Sequence, residues 1–570
     1  MTPLHPPVRT APTRQVVVAA LALVVLGAIG AVQAGITGGN FMFDLEQTTP
    51  ALAKVKPALP DPHTPRLARR VFVVIIDGLR LDKSYELPFL DELRRRGVDT
   101  EAQSHYPTWS RPNYVSILTG VPPTASGVRT NHHSTPVALD SLMDRARAAG
   151  LRVASASDYD VLPRLFLRPR DPQRAAETED LDIDAMDDTF STEAVHAADA
   201  PLQSPFDDAR YAPWPGGFPE AGAQVAAGNA DLVVMLVGAV DAAGHAHGGD
   251  SKEYREAAEI ADRALARALG RVDLSQDAIV ITADHGHTGR GGHGGLEPEV
   301  LSVPLIMAGA GVKPGADSLD AHLIDIAPTV AALLGIPAPG HGLGRTLVEL
   351  LQLSPQDAAA RVVADEQRLT LTRAVLAGAE ARAEVAVLQQ RALRIALVVG
   401  GALLAAGLAW LLVRRHVMKF DWRVLLVSVP AFFVVYYALI GTLGQRFSPS
   451  LLPAQGHLAW AMAKYGAIAM VAQLCASMWA LRNQGSLAQR LAKANAIAWT
   501  GLMLAMIPAG LVWSFFPPPY VSVPSPVWLV MIPAVEVAVA CAAVDVALTL
   551  LVEVIIFAAR AWHRNHEPMA

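Results

Sequence analysis

The chain has 570 residues, 52% of them hydrophobic and 18% charged. Its mean hydropathy of +0.30 is too apolar for an ordinary soluble protein and points to a membrane-embedded part beside a polar, folded one. A formal net charge of −6, with no Lys/Arg-rich stripe in the polar part, excludes an electrostatic footprint for nucleic acid. Cys475 and Cys541 both lie in apolar runs of the C-terminal third, which excludes a disulfide framework or a thiolate metal site in the polar part.

A short leader carrying Arg9 and Arg14 precedes the first apolar run, Val16 to Ile36, which exceeds the roughly 20 residues needed to span a bilayer. Val32 and Ala34 are small enough for a signal-peptidase site after Ala34, so residues 1–36 read equally as a signal peptide or an uncleaved signal anchor. In both cases the polar part beyond this run is translocated.

Residues 37–354 alternate strand and helix signals. VFVVII (71–76), RVASAS (152–157), DLVVMLV (231–237), AIVITA (278–283) and VPLIMAG (303–309) are short apolar runs separated by amphipathic stretches such as PFLDELRRRG and SKEYREAAEIADRALARAL. This pattern predicts an α/β domain with a largely parallel sheet sandwiched by helices. Ligands in such sheets bind beyond the carboxyl ends of the strands. Residues of about 156–230, acidic at ETEDLDIDAMDD and rich in Pro, Gly and aromatics at YAPWPGGFPE, break the alternation. They are expected to form a cap or insertion over the site edge, since a loop of this length in a compact domain is usually functional or disordered.

Four motifs sit where strands should end or helices begin: Asp77 in VFVVIIDGLR, Ser110 in PTWSRPN, Asp241 and His245 in DAAGH, and Asp284, His285 and His293 in TADHGHTGRGGHGG. Together they offer three carboxylates, three imidazoles and a hydroxyl, a set suited to two-metal phosphoryl transfer. Each has a plainer reading alone. Asp77-Gly78 is ordinary turn chemistry, and Ser110 could be a simple N-cap for the helix that Pro112 opens and Gly120 closes. In combination, Ser110 is expected to be the nucleophile, at the positive end of a helix, with Thr108 as the alternative. His247 and His287 could stand behind the ligands or at the surface, and the surface is the expectation; His132 and His133 receive no role.

Residues 355–392 are helix formers without an internal proline after Pro355 and should make a helical stalk. About five transmembrane helices come next, within 393–560, near Leu393–Val413, Leu425–Leu443, His457–Leu481, Ile497–Phe516 and Val527–Ala558, and residues 561–570 form a tail. Arg414, Arg415, Lys419 and Arg423 follow the first of these spans, Arg482, Arg490 and Lys493 the third, and Arg560 and Arg564 the last, whereas the intervening loops are nearly uncharged. Basic loops belong in the cytoplasm, so the tail is cytoplasmic and the catalytic domain extracytoplasmic, on the periplasmic side if the source is bacterial. Glu536, Asp545 and Glu553 in the last span are separated by steps that rotate by about 180° and about 80°, so packing or snorkelling suits them better than a transport pathway.

The four motifs, in this order, resemble the alkaline phosphatase superfamily, particularly its type I phosphodiesterase/nucleotide pyrophosphatase family, over about residues 70–350. The resemblance implies two divalent ions, zinc ahead of manganese, one held by Asp77, Ser110, Asp284 and His285 and the other by Asp241, His245 and His293. It also places Asn113 against a non-bridging phosphate oxygen. DGLRLDKSYELPFLDELRRRG, PTWSRPNYVSILTG, DAAGHAHGGDSKEY and DHGHTGRGGHGG are similar as well to the catalytic part of the GPI ethanolamine phosphate transferases, although Asn113 stands where those usually carry Gly. Ser110-Arg111-Pro112-Asn113-Tyr114 departs from the sulfatase pattern.

The implied activity is a membrane-anchored phosphodiesterase or phosphotransferase working through a phosphoserine, on a phosphodiester that is lipid-linked in the transferase reading, among membrane lipids. The alternative is a phosphoethanolamine transferase with a lipid or glycan acceptor. A non-catalytic scaffold or transporter is disfavoured because no ligand of the seven is missing. The topology yields a direct test: a reporter fused near Ala360 should read as extracytoplasmic, and a cytoplasmic reading would overturn the assignment.

Overall fold

The computed structural model describes residues 11–158, 161–166, 202–203, 209–211, 218–442, 447–451, 458–484 and 486–566. Most of the expected insertion at 156–230 lies outside them. The polar part is built on a nine-stranded mixed sheet in the order β4-β5-β3-β6-β1-β7-β8-β2-β9, with β1 Arg70–Ile76, β2 Val98–Gln103, β3 Val153–Ser157, β4 Leu202–Gln203, β5 Ala209–Tyr211, β6 Leu232–Val237, β7 Asp277–Thr282, β8 Ser302–Gly309 and β9 Ala321–His322.

The block β5-β3-β6-β1-β7 is parallel throughout, while β8 runs antiparallel to both β7 and β2. The central strands are apolar on both faces because helices cover both: residues 71–76 of β1 and every residue of β6 are buried. β2 has no such run. VDTEAQ alternates buried and open positions as a half-covered strand does, and that is why an apolar-run criterion passes over it.

Helix ends show how the sequence fixes local structure. Helix α1 (Thr13–Gly39) contains the first apolar run. Helix α2 (Pro88–Arg96) starts with Pro at its first position but has Leu87 as N-cap, which cannot accept from the free amides. Asp262, from a distant helix, does so instead, taking the N–H groups of Phe89 and Leu90 at 3.0 and 3.1 Å. Helix α3 (Ser110–Thr119) ends at Gly120 in the left-handed region, φ 72°. Helices α4 (Ala239–His247) and α5 (Lys252–Leu269) come after β6 and cover the sheet.

Among the described residues, six helices are long and apolar enough to cross a membrane. Besides α1 they are α6 (Pro355–Arg414), α7 (Trp422–Thr442), α8 (Leu458–Ala480), α9 (Leu487–Phe515) and α10 (Pro526–His566). Helix α6 is continuous over 60 residues, and the turns that carry Arg361, Asp365 and Arg368 are bonded to the polar domain. Arg361 donates to Thr64 Oγ1 and the Ile336 carbonyl, Arg368 donates to the carbonyls of Gly342 and Gly344 and to Asp365, and Asp365 accepts from Thr346 N–H.

Arg490 and Lys493 depart from the expectation of a loop. Helix α9 begins at Leu487, and both side chains are buried within it. Their charges are met there: Arg490 pairs with Glu553, and Lys493 with Asp421 at 2.7 Å. Burial of a cation is tolerable when a carboxylate faces it.

Arg368 ties α6 to the polar domain, so Arg368→Met leaves Asp365 without its buried partner and should destabilise the protein by about 3 kcal/mol. A fall of several degrees in the thermal unfolding midpoint in detergent checks this, and an unchanged midpoint would contradict it.

Candidate metal centre

The order β6-β1-β7 brings three carboxylates to one edge. Asp77 follows β1 immediately, Asp284 lies two residues beyond β7, and Asp241 sits in the first turn of α4, just past β6. Gly78 lets the chain turn at that edge. Its φ is +72°, and a Cβ there would fall 2.9 Å from the Asp241 Cα.

Asp77, Ser110, Asp284 and His285 are all buried and meet at one point. Ser110 Oγ is 3.1 Å from His285 Nε2. Asp77 Oδ1 and Asp284 Oδ2 lie 3.4 and 3.3 Å from that same nitrogen. The second oxygen of each carboxylate is held: Asp77 Oδ2 accepts from the Tyr114 hydroxyl, and Asp284 Oδ1 accepts from Gly78 N–H at 3.1 Å. Asp77 Oδ1 and Asp284 Oδ2 are buried with no hydrogen-bond donor among the described residues. Ser110 is the first residue of α3, and Trp109 occupies the cap position, so the hydroxyl does not cap the helix.

Asp241, His245 and His293 form the adjoining group. His245 Nε2 and His293 Nε2 are 3.0 Å apart, and each is 3.5 Å from an oxygen of Asp241. His293 is buried, whereas the His245 side chain is 43% exposed and marks the open rim. Two tautomers are fixed by carbonyl partners. His293 Nδ1 donates to Thr108 O at 2.7 Å and His285 Nδ1 to Gly286 O at 3.1 Å, so each Nε2 turns a lone pair toward the carboxylates.

His287 corrects the expectation of a surface residue. It is fully buried: Nδ1 accepts from Gly292 N–H at 3.1 Å, so Nε2 carries the proton and donates to Asp241 Oδ1 at 2.8 Å. Gly244 makes the room, because a Cβ there would sit 2.5 Å from the imidazole. The spacing HxH, with no helix signal, could have revealed it, since alternate residues of a non-helical segment tend to share a face. His247 is exposed. Tyr114 escapes a motif-based reading as well, although four residues after Ser110 on a helix is the same face.

Asn113 requires a second correction. Its amide does not face the site: Nδ2 lies 3.0, 3.2 and 3.1 Å from the carbonyls of His105, Pro107 and Trp109, and Oδ1 accepts from His105 N–H. The carbonyls of His105 and Pro107 lie in an irregular segment and are met by the Asn113 side chain, one turn into α3, while the Trp109 carbonyl also accepts from the Asn113 backbone N–H. Thr108 is likewise engaged. Its hydroxyl accepts from Gly294 N–H at 2.8 Å and donates to Gly295 O at 3.0 Å, which makes it a brace rather than an attacking group.

Burial and crowding both act on the carboxylates of the cluster. Burial pushes the Asp77 carboxyl well above the usual carboxylate range, with the charges of Asp284 and Asp241 adding to the effect. Burial likewise raises Asp284. For Asp241 burial is outweighed by His245, His287 and His293, which hold it well below that range. Burial lowers His285 and His293, which disfavours their charged forms. Donor-free buried carboxylate oxygens facing imidazoles whose far nitrogens are already bonded form an N/O donor set that fits divalent ions.

Residues 71–290 match the family profile described as type I phosphodiesterase/nucleotide pyrophosphatase. Similar curated proteins include GPI ethanolamine phosphate transferase 1 of Aspergillus oryzae, 28% identical over 357 residues covering 53% of this chain and 33% of the relative. The Homo sapiens protein of that name is 25% identical over 348 residues, covering 54% and 36%. The chain thus spans roughly a third of the length of these relatives. Among solved structures, alkaline phosphatase PafA aligns at a TM-score of 0.35 and 14% identity over 50% of this chain and 99% of PafA. A Vibrio parahaemolyticus protein of the alkaline phosphatase superfamily aligns at 0.35 and 15% over 58% and 80%. Residues 71–290 are thus similar to the type I phosphodiesterase/nucleotide pyrophosphatase family, and about half of the chain is similar to the GPI ethanolamine phosphate transferases.

Proposed function

We propose that the protein is a membrane-embedded, metal-dependent enzyme that transfers a phosphoryl-bearing group from a phosphodiester, with Ser110 as nucleophile. The observation that carries this reading is the meeting of Ser110 Oγ with His285 Nε2 and two donor-free carboxylate oxygens at the first turn of α3. Asp77, Ser110, Asp284 and His285 would hold one divalent ion, and Asp241, His245 and His293 the other, with zinc preferred to manganese. When bound, such ions stabilise a serine alkoxide at neutral pH and the charge that builds on the transferring group.

The chain's own residues do the rest. Ser110 Oγ bonds to phosphorus as its O–H bond and the ester P–O bond to the leaving group break, the proton leaving with the departing oxygen as an alcohol. An acceptor hydroxyl then bonds to phosphorus as the P–Oγ bond breaks, and its proton returns to Ser110 Oγ. Tyr114 and Gly78 hold the far oxygens of Asp77 and Asp284, and His287 holds Asp241, so the inner oxygens keep their directions through both halves. Trp109, next to Ser110, belongs to an apolar cluster with Tyr436, Leu458 and Leu529 of the membrane helices, which favours a lipid-linked substrate.

The named relatives favour a phosphoethanolamine group moving to a lipid or glycan hydroxyl; the family profile favours hydrolysis, with water as acceptor. Purified protein with zinc, offered a chromogenic diester, a monoester, a sulfate ester, and phosphatidylethanolamine with an acceptor, separates the two. Transfer from the lipid supports the first reading and brisk diester hydrolysis the second. Sulfate-ester turnover above both would contradict the proposal.

Ser110→Ala should lower turnover by roughly a thousandfold or more with metal still bound, whereas Thr108→Ala should cost far less. Acid quenching with labelled diester should place phosphate on the peptide containing Ser110. Label on Thr108 would contradict the assignment. Asp284→Ala should abolish turnover and lower bound metal while the protein still inserts, and full metal content in that variant would show that the ligand set is wrong.

A further inference from the structure

The loop GGHGG presents a buried imidazole from a run of glycines, the residues that restrain backbone least. Something outside the loop must hold it. On one side the brace is the segment before Ser110, through the bonds of Thr108 to His293, Gly294 and Gly295. On the other side lies Pro449–Leu451 with its neighbour Ser448, from the connection between the membrane helices α7 and α8.

That contact is built from hydrogen bonds rather than incidental packing. Ser450 is fully buried, and its Oγ accepts from Gly295 N–H at 2.8 Å while donating to Glu297 Oε2 at 2.6 Å. Ser448 Oγ donates to the other oxygen, Glu297 Oε1, at 2.5 Å. Both oxygens of one carboxylate are thereby engaged by two serines of the membrane region. A Cβ on Gly292 would collide with the Ser450 carbonyl, so the loop is glycine there because the membrane segment lies directly against it. Nothing in the proposed chemistry uses Ser448, Ser450 or Glu297.

We propose that Ser448 and Ser450 are positioning residues of the metal centre: through Glu297 and Gly295 they fix the glycine loop so that His293 Nε2 stays aimed at Asp241 and His245. The affinity of the ion held by that group then depends on the packing of the membrane helices, while the ion beside Ser110 does not. This rests on the reading of His293 as a metal ligand.

The test uses the full chain in detergent, with zinc affinity at both sites read by competition against a chromophoric chelator. Ser448→Ala/Ser450→Ala should weaken one of the two ions by about tenfold or more and leave the other unchanged, since partners behind metal ligands typically contribute ten- to a hundredfold. In the same variant kcat should fall at limiting zinc and recover when zinc is raised, with KM unchanged. Glu297→Ala, made separately, should behave alike and serves if the double variant is not recovered folded. Thr500→Ala, which removes a hydroxyl bonded within α9, should change neither affinity.

His293→Ala separates the two claims. If it loses one ion while the serine and glutamate variants keep both at full affinity, the positioning role is overturned and the ligand assignment stands. If His293→Ala keeps both ions, the ligand assignment falls and the positioning role with it. Equal weakening of both ions in the double variant would also overturn the proposal, because it would reflect a general loss of structure.

Discussion

Three carboxylates on adjacent strand ends, two of them with inner oxygens that no described donor reaches, set the terms for everything around them. Such charges are costly to bury unless a cation faces them. The sheet creates the problem: parallel β6, β1 and β7 deliver Asp241, Asp77 and Asp284 to the same edge. The surrounding residues then make the solution specific. Tyr114 and Gly78 each occupy an outer oxygen of Asp77 and Asp284 and His287 braces Asp241, while carbonyls tie the far nitrogens of His285 and His293. What remains directed inward is a set of lone pairs beside one hydroxyl. The nucleophilic role proposed for Ser110 would derive from that arrangement more than from any property of serine, whose hydroxyl is a poor nucleophile unaided.

Much of this is legible in the sequence because each step has a short-range signature. Apolar runs of the right length mark β1, β3, β6, β7 and β8, and Asp77 and Asp284 stand close behind two of them. The i, i+4 pair Asp241 and His245 reads as one helix face, which α4 provides. The failures are equally physical. The amide of Asn113 is claimed by carbonyls of an irregular segment, a demand that becomes visible once the path of residues 105–109 is known. His287 is buried because Gly244, far away in sequence, leaves space for its ring. Arg490 enters α9 because Glu553 meets it from α10, a pairing between helices that hydropathy does not encode.

The membrane region is more than an anchor in this arrangement. Arg129 donates to the carbonyls of Tyr520 and Val521, and the Tyr106 hydroxyl to that of Pro524, so the connection between α9 and α10 is bonded to the polar domain. The segment carrying Ser448 and Ser450 adds a second attachment. Both reach the stretches flanking Ser110 and His293. The similarity to the GPI ethanolamine phosphate transferases covers about half of this chain and about a third of those proteins, so the substrate has to be read from the site itself.

The central claim, that two neighbouring groups of ligands each hold a divalent ion, is tested most directly by anomalous scattering at the zinc edge from the zinc-loaded protein. Two peaks are expected at the strand ends, one among Asp77, Ser110, Asp284 and His285 and one among Asp241, His245 and His293. A single peak, or zinc bound elsewhere while these carboxylates stay empty, would contradict it.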